Sequence, residues 1–319
     1  MAEILLILWI VSAFMILREQ LFGRIIIYFG VFSLISAVCY LLLASPEVAM
    51  AEATSSIFST VFFIICFEKY YHNPQRTRSD LESEKPDYKK YNLIKIMLPI
   101  IFTIGLFALF IHFAPIGMDN PYLKNRYLYS FAQELGGENA VTAIYLGYRV
   151  YDTLFEALVL VVSVVAAIHL SAFQETSVKS GTHSEIEKSG MAVFVIQIIC
   201  PVMLLFGVYL VLNGHISPGG GFQGGLALAA FFVCRYMIYD IYDLPIGKLN
   251  RMEELVFAGI VLVAVFIIFL GSIAYIPSDY LPFVQSIYMI VMNVLIGLKV
   301  ACGFIILFYR YIAIENERE

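Results

Sequence analysis

Nine apolar stretches run through this chain, each long enough to cross a bilayer as a helix, and they exclude almost every other kind of fold. They fall near residues 3–17, 25–44, 46–67, 95–115, 140–171, 191–213, 222–242, 254–275 and 284–312. A hydrocarbon layer of ~30 Å takes about 20 residues of helix to span. The soluble alternative fails on composition, because water-soluble domains carry about 25% charged residues and this chain carries 14% against 61% hydrophobic. The expectation is therefore an all-α integral membrane protein of about nine transmembrane helices. The start, Met1-Ala2-Glu3, has neither a basic leader nor a small-residue cleavage site, so the first stretch reads as a membrane helix and not as a signal peptide.

Two polar stretches interrupt the apolar pattern: NPQRTRSDLESEKPDYKK, within 71–91, and QETSVKSGTHSEIEKSG, 174–190. Their Ser, Pro and Gly content is that of linkers. They divide the chain into a three-helix module (1–70), a two-helix module (92–173) and a four-helix module (191–319). Lysine and arginine crowd alternate connections (Arg18, Arg24, Lys69, Arg76, Arg78, Lys85, Lys179, Lys188, Lys248, Arg251), whereas the opposite connections hold Lys124 and Arg126. By the positive-inside rule the N-terminus lies outside and the C-terminus in the cytoplasm of a multi-pass cell-membrane protein. No basic stretch interleaved with aromatics points to nucleic acid. The cysteines Cys39, Cys66, Cys200, Cys234 and Cys302 are scattered without a CxxC, so no metal site is expected.

Charges inside membrane helices are costly, about 3 kcal/mol at mid-bilayer on insertion scales, and usually serve a pathway. Ser45 and Pro46 have the chemistry of a helix cap and first position. Glu47 follows in the first turn, where it reads either as a capping charge or as a functional one. Glu52 lies about 7 Å deeper. In YRVYDTLFEA, Arg149, Asp152, Thr153 and Glu156 share one helical face by spacing. Arg149 and Asp152 suit a self-neutralising pair, while Glu156 is a lone mid-membrane carboxylate and a candidate proton or cation site. The stretch is long for one span, which predicts a tilt or break near Gly147. Lys299, near the middle of the last helix, suits proton shuttling or pairing with a glutamate on a neighbouring helix.

NGHISPGGGFQGG (213–225) contains GxGxxG but has no preceding strand, so it is not a dinucleotide fingerprint. Gly220 with Gly224, and Gly221 with Gly225, are instead small-xxx-small contacts that let helices approach. Asn213, His215, Pro218 and Gly219 shape a tight turn at the membrane face, tolerable only where protein or water shelters the backbone.

These residues carry a resemblance. FGVFSLISAVCYLLLASPEVAMAEA resembles a segment shared by the large A-type component of Mrp-type sodium/proton antiporters and the small D-type component of energy-converting membrane-bound hydrogenases. ENAVTAIYLGYRVYDTLFEALVL resembles the hydrogenase E component. NGHISPGGGFQGGLALAA with NVLIGLKVACGF is similar to the antiporter B and hydrogenase F components. Glu47 stands where these families usually have aspartate, and Phe155 where they have glycine. The resemblance implies an ion-transporting antiport subunit in which Glu52, Asp152, Glu156 and Lys299 form the ion path, supported by Glu47, Arg149, Thr153, Asn213, His215, Pro218 and the glycines Gly219, Gly220, Gly221, Gly224 and Gly225. It implies Na+ and H+ as transported ions with no cofactor in this chain. The implied partners are the lipid bilayer and other subunits of an antiporter or hydrogenase-like complex, including pump subunits of the complex I type, since no long pump domain is visible here. Two other readings stand beside it: a haem- or quinone-binding redox subunit, and a purely structural adaptor.

Overall fold

The computed structural model describes residues 2–19, 21–71, 93–113, 121–174, 190–239, 246–273 and 281–313. Apart from their end residues, the two expected linkers lie outside the described residues. Among the described residues the regular structure is entirely helical. Long helices occupy the apolar stretches: α1 (Ala2–Arg18), α2 (Phe22–Leu42), α3 (Pro46–Tyr71) and α4 (Leu93–Phe113). Short pieces follow: α5 (Pro121–Asn125), a π-turn Arg126–Ser130, α6 (Phe131–Leu135), α7 (Ala140–Ala143) and a second π-turn Ile144–Tyr148. The remaining helices are α8 (Val150–Gln174), α9 (Gly190–Asn213), α10 (Gly221–Tyr239), α11 (Ile246–Ile273) and α12 (Leu281–Ala313). Six of these are long and apolar enough to cross a membrane. Their outward surfaces carry large apolar side chains, such as Leu34 at 56% exposure and Leu205 at 71%. This is an all-α, multi-pass membrane protein.

α12 is the hub. In its most apolar 18-residue stretch, within Phe283–Arg310, 61% of residues are buried, against 17–22% for the corresponding stretches of the other spans. It packs against α8, α10 and α11, and its Phe304 meets Phe58 of α3 edge-on at 4.8 Å. By contrast, every side chain described in α4 is exposed. α2 turns into α3 through Ala44 (φ 56°), with Ser45 N–H donating to the Tyr40 carbonyl at 2.9 Å. The Ser45 hydroxyl contacts the Leu43 carbonyl at 3.5 Å, so it looks back into the turn and does not cap α3.

The stretch expected at 140–171 as one helix is broken. Arg149 adopts φ −123°, ψ 39°, outside the helical region, and α8 begins only at Val150. The interruption lies two residues beyond Gly147, where excess length required some accommodation. Another boundary differs more consequentially: α11 starts at Ile246, eight residues before the expected 254, and so takes Glu253 into the helix.

Glycine permits the close seams of α10 with α12 and α9. A Cβ added at Gly221 would sit 2.5 Å from the Asn293 carbonyl oxygen of α12, and one at Gly225 would sit 2.6 Å from that of Gly297. Gly224 faces the other way, where an added Cβ would lie 2.8 Å from the Gly207 carbonyl of α9. The obstructing atoms are backbone and cannot swing aside. Gly225→Val should therefore destabilise the protein by about 1–3 kcal/mol, the usual cost of overpacking. Gly247→Val, where nothing lies within 4 Å, should not. Thermal unfolding in detergent micelles compares the two.

Candidate functional site

The loop 214–220 joining α9 to α10 cannot satisfy its own backbone, and its partners come from α3 and from the segment 138–142. Asn139 precedes α7 with φ −91°, ψ 105°, and its side-chain oxygen accepts from Val141 N–H (3.0 Å) and Thr142 N–H (3.3 Å). Its amide nitrogen donates to the carbonyls of Gly214 and Ser217, both at 3.0 Å, and to Oε1 of Glu47. Three acceptors thus converge on two amide hydrogens. The other Glu47 oxygen accepts from Gly219 N–H at 2.9 Å. Glu47 is buried, and both its oxygens bind groups from outside α3. It caps no N–H of its own helix in this arrangement, so the capping alternative gives way to a clasp.

More of the loop is fixed from the same side. The His215 carbonyl accepts from Glu138 and Asn139 N–H, and the Thr142 hydroxyl donates to the Gly214 carbonyl at 2.6 Å. Asn213 contributes its carbonyl, which takes the N–H groups of Ile216 and Ser217. The His215 ring stays local, 3.2 Å from the Leu212 carbonyl. Gly219 and Gly220 both sit at φ +148°, a conformation side-chain-bearing residues rarely adopt. Asn293 of α12 closes the ring: its Oδ1 accepts from Gly221 N–H (3.1 Å) and Tyr145 OH (3.2 Å). The Asn293 Nδ2 is buried without a hydrogen-bond partner. Glu47, Glu138, Ser45 and Pro218 line a surface cleft of about 430 Å³ beside this knot.

Lys299 is fully buried, and its ammonium pairs with Glu253 of α11, whose side chain is 6% exposed. The ring of Phe257, one turn on from Glu253, lies 5.4 Å from the ammonium, within cation–π range. Among the described residues the ammonium has no hydrogen-bond partner beyond that ion pair, and Asn250 Oδ1, one turn before Glu253, is likewise unpartnered there. Among the described residues the counter-charge is Glu253, a glutamate on a neighbouring helix.

The α8 residues do not share one face. Arg149, in the break, pairs with Asp152, and both are exposed. Thr153 is buried and donates to the Tyr145 carbonyl at 2.6 Å. Glu156 is exposed on the outward side with Asp152, and it has no hydrogen bond or ion pair among the described residues. Glu52 is half-buried on α3 without a side-chain partner among those residues. The structure therefore assembles Glu47 with the loop glycines, and Lys299 with Glu253, but leaves Glu52, Asp152 and Glu156 apart from both groups.

Five participants escaped the sequence reading: Asn139, Thr142, Tyr145, Asn293 and Glu253. Asn293, a polar residue six before Lys299 in an apolar helix, carried a usable signal. Asn139, ahead of AVTA, had the chemistry of an N-cap.

Residues 191–306 match the family described as "Domain related to MnhB subunit of Na+/H+ antiporter". Residues 7–71 match the MbhD family, the D component of MBH. A probable K+/H+ antiporter component of A/B type from Rhizobium meliloti is 24% identical over 66% of this chain and 23% of its own length. The Mrp complex of Dietzia sp. DQ12-45-1b contains a chain of similar fold, with TM-score 0.62 and 18% identity over 94% of this chain and 34% of that one. A chain of the membrane-bound sulfane sulfur reductase, an archaeal respiratory membrane complex, gives TM-score 0.51 and 25% identity over 68% of this chain and 97% of that one. The chain spans 58% and 23% of the length of the first two curated relatives it matches.

Removing one partner of a buried ion pair costs about 3–5 kcal/mol because the other charge is stranded. Lys299→Ala should therefore lower the unfolding temperature in detergent strongly, while Lys299→Met combined with Glu253→Leu should recover most of the loss. Equal instability of the single and double variants would mean that packing, not charge, holds this site. Asn139→Ala leaves the loop carbonyls short of donors, so hydrogen exchange in 214–220 should quicken by about tenfold or more.

Proposed function

We propose that this chain, a membrane protein carrying an Mrp- and membrane-bound-hydrogenase-type module, is an antiporter-type subunit whose buried charges form part of a cation and proton path within a larger complex. The carrying observation is the Lys299–Glu253 pair, fully enclosed, with most of the ammonium's hydrogen-bonding capacity unused. A pair retained for stability alone gains when its remaining donors are satisfied. A lysine left in this state is one that can release and regain a proton, which an arginine cannot do.

In this reading Glu47 and the neighbouring cleft mark the entrance at one membrane face, and Glu52, Asp152, Glu156 and Lys299 supply the charged positions along the path, with Glu253 added to them. Arg149, Thr153, Asn213, His215, Pro218 and the loop glycines hold the supporting geometry. The chain crosses the membrane nine times, with the N-terminus outside and the C-terminus in the cytoplasm, in three modules of three, two and four helices. The distribution of lysine and arginine supports that orientation. The matched family is described for Na+/H+ and the Rhizobium relative for K+/H+ antiport. We take sodium as the ion, exchanged for protons. Because Asp152 and Glu156 face outward, their part of the path needs other subunits to close it, among them pump subunits of an antiporter or of a redox-driven complex.

Two tests separate this from a structural adaptor. The isolated chain in liposomes should show no sodium-dependent proton movement, whereas the complete complex should. In that complex Lys299→Arg should assemble normally yet lose most transport, and Glu156→Gln should lose most transport per assembled complex, both read as sodium-driven acidification with a vesicle-trapped dye. Normal transport by both variants would leave the chain with a scaffolding role only.

A further inference from the structure

The outward face of α8 is built for contact, yet none of the described residues covers it. Asp152, Glu156, Val159 and Ser163 recur at spacings of four, three and four, which line up on one side of a helix. The opposite stripe, Val150, Thr153, Ala157 and Val164, is buried. Around Glu156 stand Phe155 (64% exposed) and Val159 (66%). Glu156 lies six residues, about 9 Å of axial rise, inside the span that begins at Val150. Water cannot serve it at that depth in an apolar surround, and it has no hydrogen-bond or ion-pair partner among the described residues.

Three other acids of these helices are partnered, whereas Glu52, half-buried on α3, shares with Glu156 the lack of a side-chain partner among the described residues. Glu253 meets Lys299, Asp152 meets Arg149, and Glu47 is held by Asn139 and Gly219. Lys299 and Arg149 are thus committed elsewhere. α4, the helix with every described side chain exposed, offers no lysine or arginine between Met97 and Phe113. A second copy joined through this face about a two-fold axis would set Glu156 against its own mate, carboxylate against carboxylate.

We propose that the outward face of α8 docks a membrane helix of a different subunit, and that this helix brings a lysine or arginine side chain to Glu156. This rests on the reading above that the chain works inside a multisubunit complex. The partner helix lies along Phe155, Val159 and Ser163, with its cation about two turns below the Arg149 break. Glu156 then belongs to an ion pair shared between subunits, and the charged path passes from this chain into its partner there.

The test uses the intact complex, purified from its host membrane through a tag on this chain. A photo-crosslinking amino acid replaces Val159, and the attached peptide is identified by mass spectrometry. The expected product is a membrane helix of another polypeptide with lysine or arginine within about one turn of the attachment point. Glu156→Lys should cut recovery of the complex by about tenfold, and exchanging the partner's cation for glutamate in the same strain should restore it. Attachment to lipid alone, to a second copy of this chain, or to a helix without a cation would overturn the proposal. So would unimpaired assembly of Glu156→Lys, or a charge exchange that restores nothing. If the unmodified chain migrates alone on native gels, the multisubunit reading itself fails; if it migrates with partners while Val159 reaches only lipid, this inference alone fails.

Discussion

The side-chain amide of Asn139 ties α3, the start of α7 and the loop between α9 and α10 together. Inside a bilayer, each exposed backbone N–H or C=O must find a partner within the protein, and the loop 214–220 departs from helix just where that requirement bites. Asn139 answers it with both ends at once: its oxygen starts α7, and its nitrogen takes two loop carbonyls together with Glu47. Glu47 completes the arrangement by accepting from Gly219 N–H. An aspartate at position 47 would keep the charge with one methylene less reach, so the longer side chain matches the separation between α3 and the loop in this protein.

Charge is handled in two distinct ways here. Lys299 and Glu253 face inward and neutralise each other beside an aromatic ring. Glu156 faces outward and meets no opposite charge among the described residues. α4 repeats the second pattern in apolar form, with its described side chains exposed all round. Both outward features lie between Leu93 and Gln174.

What could be read from the chain follows physical range. The apolar runs, the glycine loop, the break near Gly147 and the depth of Lys299 are local properties, legible from spacing and composition. Glu253 was hidden because it follows Arg251 and Met252 at the edge of an apolar run, where an acid looks like a surface residue; only the early start of α11 at Ile246 puts it inside. Thr153 was misjudged for a geometric reason. Successive helical residues differ by about 100°, so Asp152 and Thr153 lie at opposite edges of the face their spacing defines, and the packing of α8 on α12 turns Thr153 inward and leaves Asp152 exposed. The Glu47–Asn139 contact joins residues 92 apart, and no pattern within either segment announces the other.

α12 carries the lysine and, through Asn293, meets the end of the loop. Asn293 and Lys299 are six residues apart, about 9 Å along the axis and roughly 120° around it. Asn293 faces the loop and Tyr145, while Lys299 faces α11. Their hydrogen-bonding groups point to different neighbours, so no file of polar side chains connects them among the described residues. What they share is the body of the helix, which Gly221 and Gly225 hold against α10 at backbone contact. Packed seams of this kind shift as units. A change at Glu47 that released the loop would therefore reach Lys299 as a displacement of α12 against α11, altering the ion pair by geometry with no relay of hydrogen bonds between them.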